Sequence, residues 1–211
     1  MGTKERRERE REEVRAKILD AARALFAAQG YGAVTMRKIA AAIEYSPTAI
    51  YLHFRDKLEV LRACCDADFM LLAKKFQKIA KIADPIERLK ATGRAYADFA
   101  FKHPNHYQLM FMTPRPAVGL EKRGIERGNP EQDAYAFLKW TVGEALAAGR
   151  LRPGLGDVEL LSQVVWAGVH GVVSLRIAKC KDEWIEWASE KRSVEAMLDL
   201  QVHGLLAHPE G

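Results

Sequence analysis

Six histidines and three cysteines are the side chains in this 211-residue sequence best suited to hold a metal or attack a substrate. His103 and His106 stand three residues apart, with His170 and Cys180 further along the chain. A zinc site needs three or four ligands at recurring spacings, such as HExxH or paired CxxC motifs, and neither pattern occurs. Nor is there a Gly-rich phosphate loop or a GxSxG nucleophile elbow. His103, directly before Pro104, reads as a helix-entry residue. The sequence is therefore read as a non-enzyme that needs neither metal nor cofactor. Cys64, Cys65 and Cys180 are odd in number and include two neighbours, a poor disulfide framework that suits a reducing, cytoplasmic setting.

Any such side chains must be positioned by helices. Apolar residues recur at helical spacing, as in Val14, Ile18, Ala22 and Leu25, then Leu61, Cys65, Leu72, Phe76 and Ile79, and no alternating strand pattern competes. The fold class is all-α. Helices are expected over 12–29, 35–43, 47–53, 57–81, 85–102, 104–112, 131–149, 157–179 and 183–207. Pro47, Pro85, Pro104 and Pro130 fall where helices open, since proline inside a helix costs roughly 3 kcal/mol. Three short helices followed by longer ones suggest a small N-terminal module on a larger helical body, joined through the fourth helix. The breaker-rich stretch from Pro114 to Pro130 is expected to be a mobile loop.

Composition agrees with a globular chain: 48% hydrophobic, 29% charged and a net charge of +5. That surplus permits an anionic partner without identifying one. The opening MGTKERRERERE is charged where a signal peptide would be apolar. The most apolar stretch, Leu160 to Ile177, is interrupted by Ser162, Gln163, His170 and Arg176, so no membrane-spanning helix and no membrane partner are expected.

The N-terminal module carries the clearest local signals. Gly30 and Gly32 end the first helix, and the Thr35 hydroxyl can accept an unpaired amide proton at the head of the second. Ser46 does the same for the third, with Pro47 at the first helical position, where a missing amide proton costs nothing. Two short helices across a tight turn, with Ile39, Ile43 and Ile50 facing inward, make a helix-turn-helix whose second member enters the major groove of DNA.

The run TMRKIAAAIEYSPTAIYLHFRDKLEVL, Thr35 to Leu61, resembles the DNA-binding domain of TetR-family transcriptional regulators. Thr35, the pair Ile39 and Ala40, Ser46, Tyr51, His53 with Phe54, and Lys57 carry the likeness, which covers residues 10 to 61. Glu44 departs from it, standing where the family usually has glycine, and a left-handed backbone there would cost roughly 1 kcal/mol. The resemblance implies that Thr35, Tyr51, His53 and Lys57 touch phosphates while Pro47, Thr48 and Ala49 face base edges. Arg37, Tyr45 and Ser46 complete the expected DNA-facing set. Hydroxyls, an imidazole N–H and an ammonium are phosphate donors, and short side chains let a helix sit deep in the groove. Tyr51 and Phe54 also fit as packing residues, Phe54 the better of the two, and Lys57 as a solvated charge. In the arm, Lys4, Arg6, Arg7, Arg9 and Arg11 alternate with glutamates, so most of it reads as a solvated helix extension whose charge cancels in pairs four residues apart. Arg6, Arg7 and Arg9 stay as candidates for backbone or minor-groove contact.

Further on, HPNHYQLMF from His103 and WAGVHGVVSL from Trp166 are similar to the WHG-type effector domain of one TetR subgroup, a shorter and less specific match. Trp166, His170, Val173 and Ile177 share one stripe of a helix, and the small residues Val164, Ala167, Gly171, Ser174 and Ala178 share another. The resemblance implies a homodimer through helices 157–179 and 183–207, although an intrachain core would use the same stripes. It also implies a double-stranded operator and a small, mostly apolar effector. Phe69, Tyr96, Phe99, His103, Tyr107, Met110, Phe111, Trp140, Trp166 and His170 mark the ligand region, each of which is also a plausible core residue. The implied domains are 1–56 for DNA, with a charged arm over 1–11, and 57–211 for effector binding and dimerisation. The implied function is a ligand-released repressor. A helical ligand-binding or scaffold protein with a vestigial DNA module is the alternative.

Overall fold

The computed structural model describes residues 3–114 and 124–207. Their regular elements are helices, with one isolated antiparallel bridge between Leu151 and Leu206. In chain order these are α1 (Thr3–Ala33), α2 (Met36–Ala42), α3 (Pro47–Tyr51), α4 (Lys57–Ile79), α5 (Pro85–Lys102), α6 (Pro104–Tyr107), α7 (Ala134–Ala147), α8 (Val158–Lys179) and α9 (Glu190–Leu205). Directly after α6, Gln108–Met112 make one π turn. Most boundaries match the sequence pattern within a few residues, and two do not. α1 starts nine residues before the expected position 12, because its charged head is made of helix-forming Lys, Arg and Glu without an apolar period. α9 starts at Glu190 rather than 183, where Ser189 accepts from the Arg192 amide as N-cap. Residues 115–123 of the expected loop lie outside the described residues.

The chain packs as two compact units. One comprises Met1–Asp68 with Asn105–Gly124, and the other Phe69–Pro104 with Ile125–Gly211. In the first, α1 buries Ile18, Leu19, Ala22 and Phe26, the spacing of a single helical face, and Met36, Ile39, Ile50, Phe54 and Leu61 are buried beyond it. At Gly30, φ is +74°, which breaks α1 where the sequence placed its end. A charged cluster is also buried here. Arg23 Nε donates to both carboxylate oxygens of Asp68 at 2.8 and 3.1 Å, and His106 Nδ1 lies 2.9 Å from the same carboxylate. Asp68 is 1% exposed, so its charge is tolerable only because α1 and α6 bring partners to it.

In the second unit α5, α7, α8 and α9 pack around Ile86, Leu89, Leu138, Val142, Leu161, Val165 and Val202. At Gly93 and Gly168 the α9 side chains of Leu198 and Gln201 occupy the space a Cβ would need, so these glycines set how closely α9 approaches α5 and α8. Arg88 is buried with its guanidinium 4.0 Å over the Trp140 ring, donating to the Ile82 carbonyl and to Glu144. Against the sequence expectation, α8 is long and apolar enough, by length and composition alone, to cross a membrane. Leu161, Val165, Val169 and Val173 account for one face of it by burial inside the unit.

Candidate functional site

The five-residue α3 is too short to hold its shape alone and depends on its caps and on one buried residue. Ser46 Oγ accepts from the Ala49 amide at 3.2 Å, Thr35 Oγ1 accepts from the Lys38 amide at 3.2 Å, and Ile50 is wholly buried. Each capping hydroxyl acts as acceptor and keeps its own proton to donate outward. The turn between α2 and α3 is a Schellman closure: the Tyr45 amide reaches the Ala40 carbonyl at 3.0 Å and the Glu44 amide reaches Ala41 at 3.2 Å. That closure requires a left-handed residue, and Glu44 is at φ +60°.

With Ile39 and Ile50 inward, the expected DNA-facing residues fall on the outside. Thr35, Arg37, Tyr45, Ser46, Pro47, Thr48 and Tyr51 are exposed, and Ala49 is half-buried. Leu52, which the sequence reading passed over, is 73% exposed and extends this surface beyond Tyr51. Phe54 is a packing residue at 2% exposure, with the Arg15 guanidinium 4.7 Å above its ring. Lys57 is turned largely inward. Its Nζ donates to the carbonyls of Tyr31 at 2.7 Å and Val34 at 2.8 Å and lies 4.1 Å over the Tyr31 ring, leaving one N–H for any phosphate. Burial pushes its pKa down. His53 is half-buried; burial, and then the charges of Arg11 and Arg15, push its imidazole below the ordinary range.

The residues expected around a ligand separate into the two units. Tyr107 and Met110 are fully buried in the first, with the Phe111 ring 5.4 Å from Tyr107. In the second, Tyr96, Trp166 and His170 are joined directly. The Trp166 indole N–H donates to the Tyr96 hydroxyl at 3.1 Å, and that hydroxyl lies 3.0 Å from His170 Nδ1. An indole only donates, so the Tyr96 hydroxyl accepts from Trp166, and between that hydroxyl and the neutral imidazole of His170 the tautomer decides which donates. Burial favours that neutral form by lowering the His170 pKa. The Phe99 and His103 rings lie tilted with centroids 5.4 Å apart, Phe69 is half-buried, and Trp140 is taken up by Arg88. Tyr135, not singled out from sequence, lies 6.0 Å from the Trp166 ring and donates to Glu159 at 2.7 Å. Lys139 and that hydroxyl hold Glu159 at about 2, while burial and the adjacent carboxylate push Tyr135 up to about 12.

A capped helix-turn-helix with outward donors, on an all-helical chain, defines a DNA-binding regulator. Residues 18–64 match the model of bacterial regulatory proteins of the tetR family, and residues 89–201 match the tetracyclin repressor-like C-terminal domain. The chain belongs to the TetR family of transcriptional regulators. The HTH-type transcriptional regulator SrpR of Pseudomonas putida is 46% identical over 54 residues, which span 26% of this chain and 25% of that regulator. Among solved structures, the fatty acid degradation regulator FadR from Bacillus halodurans aligns with a TM-score of 0.71 at 20% identity, over 90% of this chain and 98% of its own. The ketosteroid transcriptional regulator KstR2 of Mycobacterium tuberculosis aligns at 0.70 and 19%, over 92% and 95%. These likenesses establish the shared fold.

Proposed function

We propose that the protein is a homodimeric repressor that grips a palindromic operator through α3 and lets go when a small, mostly apolar ligand occupies the C-terminal body. Residues 1–56 would serve DNA and 57–211 the ligand and the second subunit. The observation that carries the DNA half is the outward set Thr35, Ser46, Thr48 and Tyr51 on a doubly capped helix pair. Thr35, Tyr51, His53 and the remaining Lys57 proton would hold phosphates, and Pro47, Thr48 and Ala49 would read base edges. The ligand half is supported by the Tyr96, Trp166 and His170 cluster, aromatic bodies with a few polar tips. Two structural relatives are named for fatty acid degradation and for ketosteroids, which accords with an apolar ligand. To relieve repression the ligand must prefer the state that does not bind DNA; a hundredfold preference corresponds to about 2.7 kcal/mol.

Selection of duplexes from a random pool with the purified full-length chain tests this reading. Enrichment of a palindrome, and loss of its preferred bases when Thr48 is replaced, are the expected results. Recovery of no sequence above the pool, at low as well as moderate salt, would overturn it.

A further inference from the structure

The head of α1 carries a row of cations that the fold itself does not use. Residues 4–13 extend the helix outward from the packed module, and every side chain among them is exposed. At 100° per residue Lys4, Arg7, Arg11 and Arg15 fall within about 80° of one another, while Arg6 and Arg9 point to the opposite side. Arg6 is paired with Glu10 at 3.4 Å. Arg7 and Arg11 form no ion pair within 4.0 Å among the described residues. Glu5, Glu8 and Glu12 border the row on one side, and Glu10 on the other is engaged by Arg6, which leaves the row's own cations without an ion-pair partner among the described residues.

Where this row begins is decisive. Arg15 lies over the ring of Phe54, three residues beyond the end of α3. Arg11, one turn earlier, is near enough to His53 for its charge to act on the imidazole. The row therefore starts beside the last residues of the recognition segment and runs outward for eleven residues, roughly 16 Å at the helical rise. Cations one helical turn apart on a stiff rod suit a chain of regularly spaced phosphates, and a rigid helix loses little entropy in presenting them.

We infer that Lys4, Arg7 and Arg11 form a second phosphate-binding surface, which grips the DNA backbone outside the stretch covered by α3 and reads no bases. This rests on the DNA-binding reading above. It also replaces Arg6 and Arg9 of the sequence expectation by Lys4 and Arg11, because helical phase and the Arg6–Glu10 pair separate them.

The test uses the full-length chain and a labelled duplex recovered by selection, titrated across a salt series. Replacing Arg7 and Arg11 together by Gln should reduce the slope of log K against log salt by about 0.9 per lost contact, or about 1.8 per subunit, with the ranking of sequences unchanged. The matched pair Arg6→Gln with Arg9→Gln removes the same charge from the opposite side and should leave the slope alone. Equal reductions in both double variants would assign the effect to bulk charge and overturn the inference. No reduction for Arg7→Gln with Arg11→Gln would overturn it too. If the unaltered chain binds no duplex, the DNA-binding reading itself has failed, whereas binding with both variants unchanged removes only the second surface.

Discussion

Glu44 and His53 are the two residues of the DNA-binding module whose environments run against their chemistry. Glu44 occupies the left-handed position that closes α2, which glycine adopts without penalty and a residue with a Cβ does not. Glu44→Gly should raise the unfolding free energy by about 1 kcal/mol, seen as a higher urea midpoint at unchanged slope. An equal or lower midpoint would mean that the carboxylate contributes more to the turn than its backbone costs. For His53 the reasoning concerns protons. In the free chain burial, Arg11 and Arg15 hold its pKa below the ordinary value of about 6.5, whereas a phosphate beside it would raise that value. Between the two values the complex binds a proton that the free protein lacks, so DNA affinity should tighten as pH falls through that window. Anisotropy titrations from neutral to mildly acidic pH would show this, and His53→Gln should flatten the profile. A profile unchanged by the substitution would remove His53 from the phosphate contacts.

At the scale of elements, stability and legibility both turn on what caps and pairs do. Asp68 in α4 is held by Arg23 of α1 and His106 of α6, so Asp68→Asn leaves a buried guanidinium with only the exposed Asp20 beside it. A loss of about 3 kcal/mol in chemical denaturation is expected, and a change near zero would show that water replaces the carboxylate there. In the second unit, Tyr96→Phe removes the hydroxyl that serves both Trp166 and His170. The expected loss is about 1–2 kcal/mol, read as a lowered denaturation midpoint. Most helices were legible because caps are local chemistry: Thr35, Ser46 and Pro47 each act where their types require, and even the cost at Glu44 followed from its place after α2. Apolar period alone starts α1 too late, because a helix with no buried face leaves no such period, whereas the alternating charges of its head suit the solvated helix extension that is found. The start of α9 was placed early because Trp184, Ile185 and Trp187 continue a periodic pattern through a segment that is not helical. The polar triad joins residues up to 74 positions apart, and sequence gave its members without their pairing. The resemblance implies a phosphate contact for Lys57, but its bonds to the Tyr31 and Val34 carbonyls depend on the end of α1, 26 and 23 residues away, and no local pattern announces them.

For the whole molecule, the proposed dimer requires that two reading heads be held at one separation. α8 is apolar on opposite faces. Leu161, Val165, Val169 and Val173 are buried inside the unit, whereas Leu160, Val164, Ala167 and Leu175 fall together on the outside, with Leu160 at 55%, Val164 at 51% and Leu175 at 58% exposure. Leu200 on α9 is 76% exposed. An apolar face this continuous is costly in water, and a second copy of the same two helices would cover it with the self-complementary symmetry of a twofold dimer. Leu160→Glu with Leu200→Glu should then leave helicity intact, because both sites are solvent-facing in the isolated chain, and shift sedimentation to the monomer. DNA affinity should fall with it, since each half-site alone loses the benefit of the linked second contact. The geometry of the proposed dimer adds a sharper requirement. Two α3 helices on a twofold axis must meet successive major grooves about one turn, roughly 34 Å, apart. Inserting about 5 base pairs between half-sites turns one of them to the far side of the duplex and should abolish tight binding; inserting about 10 should restore part of it. A chain that sediments as a monomer in its unaltered form, or that ignores the spacing series, would mean that α8 and α9 cover their exposed face in some other way and that each recognition helix acts alone.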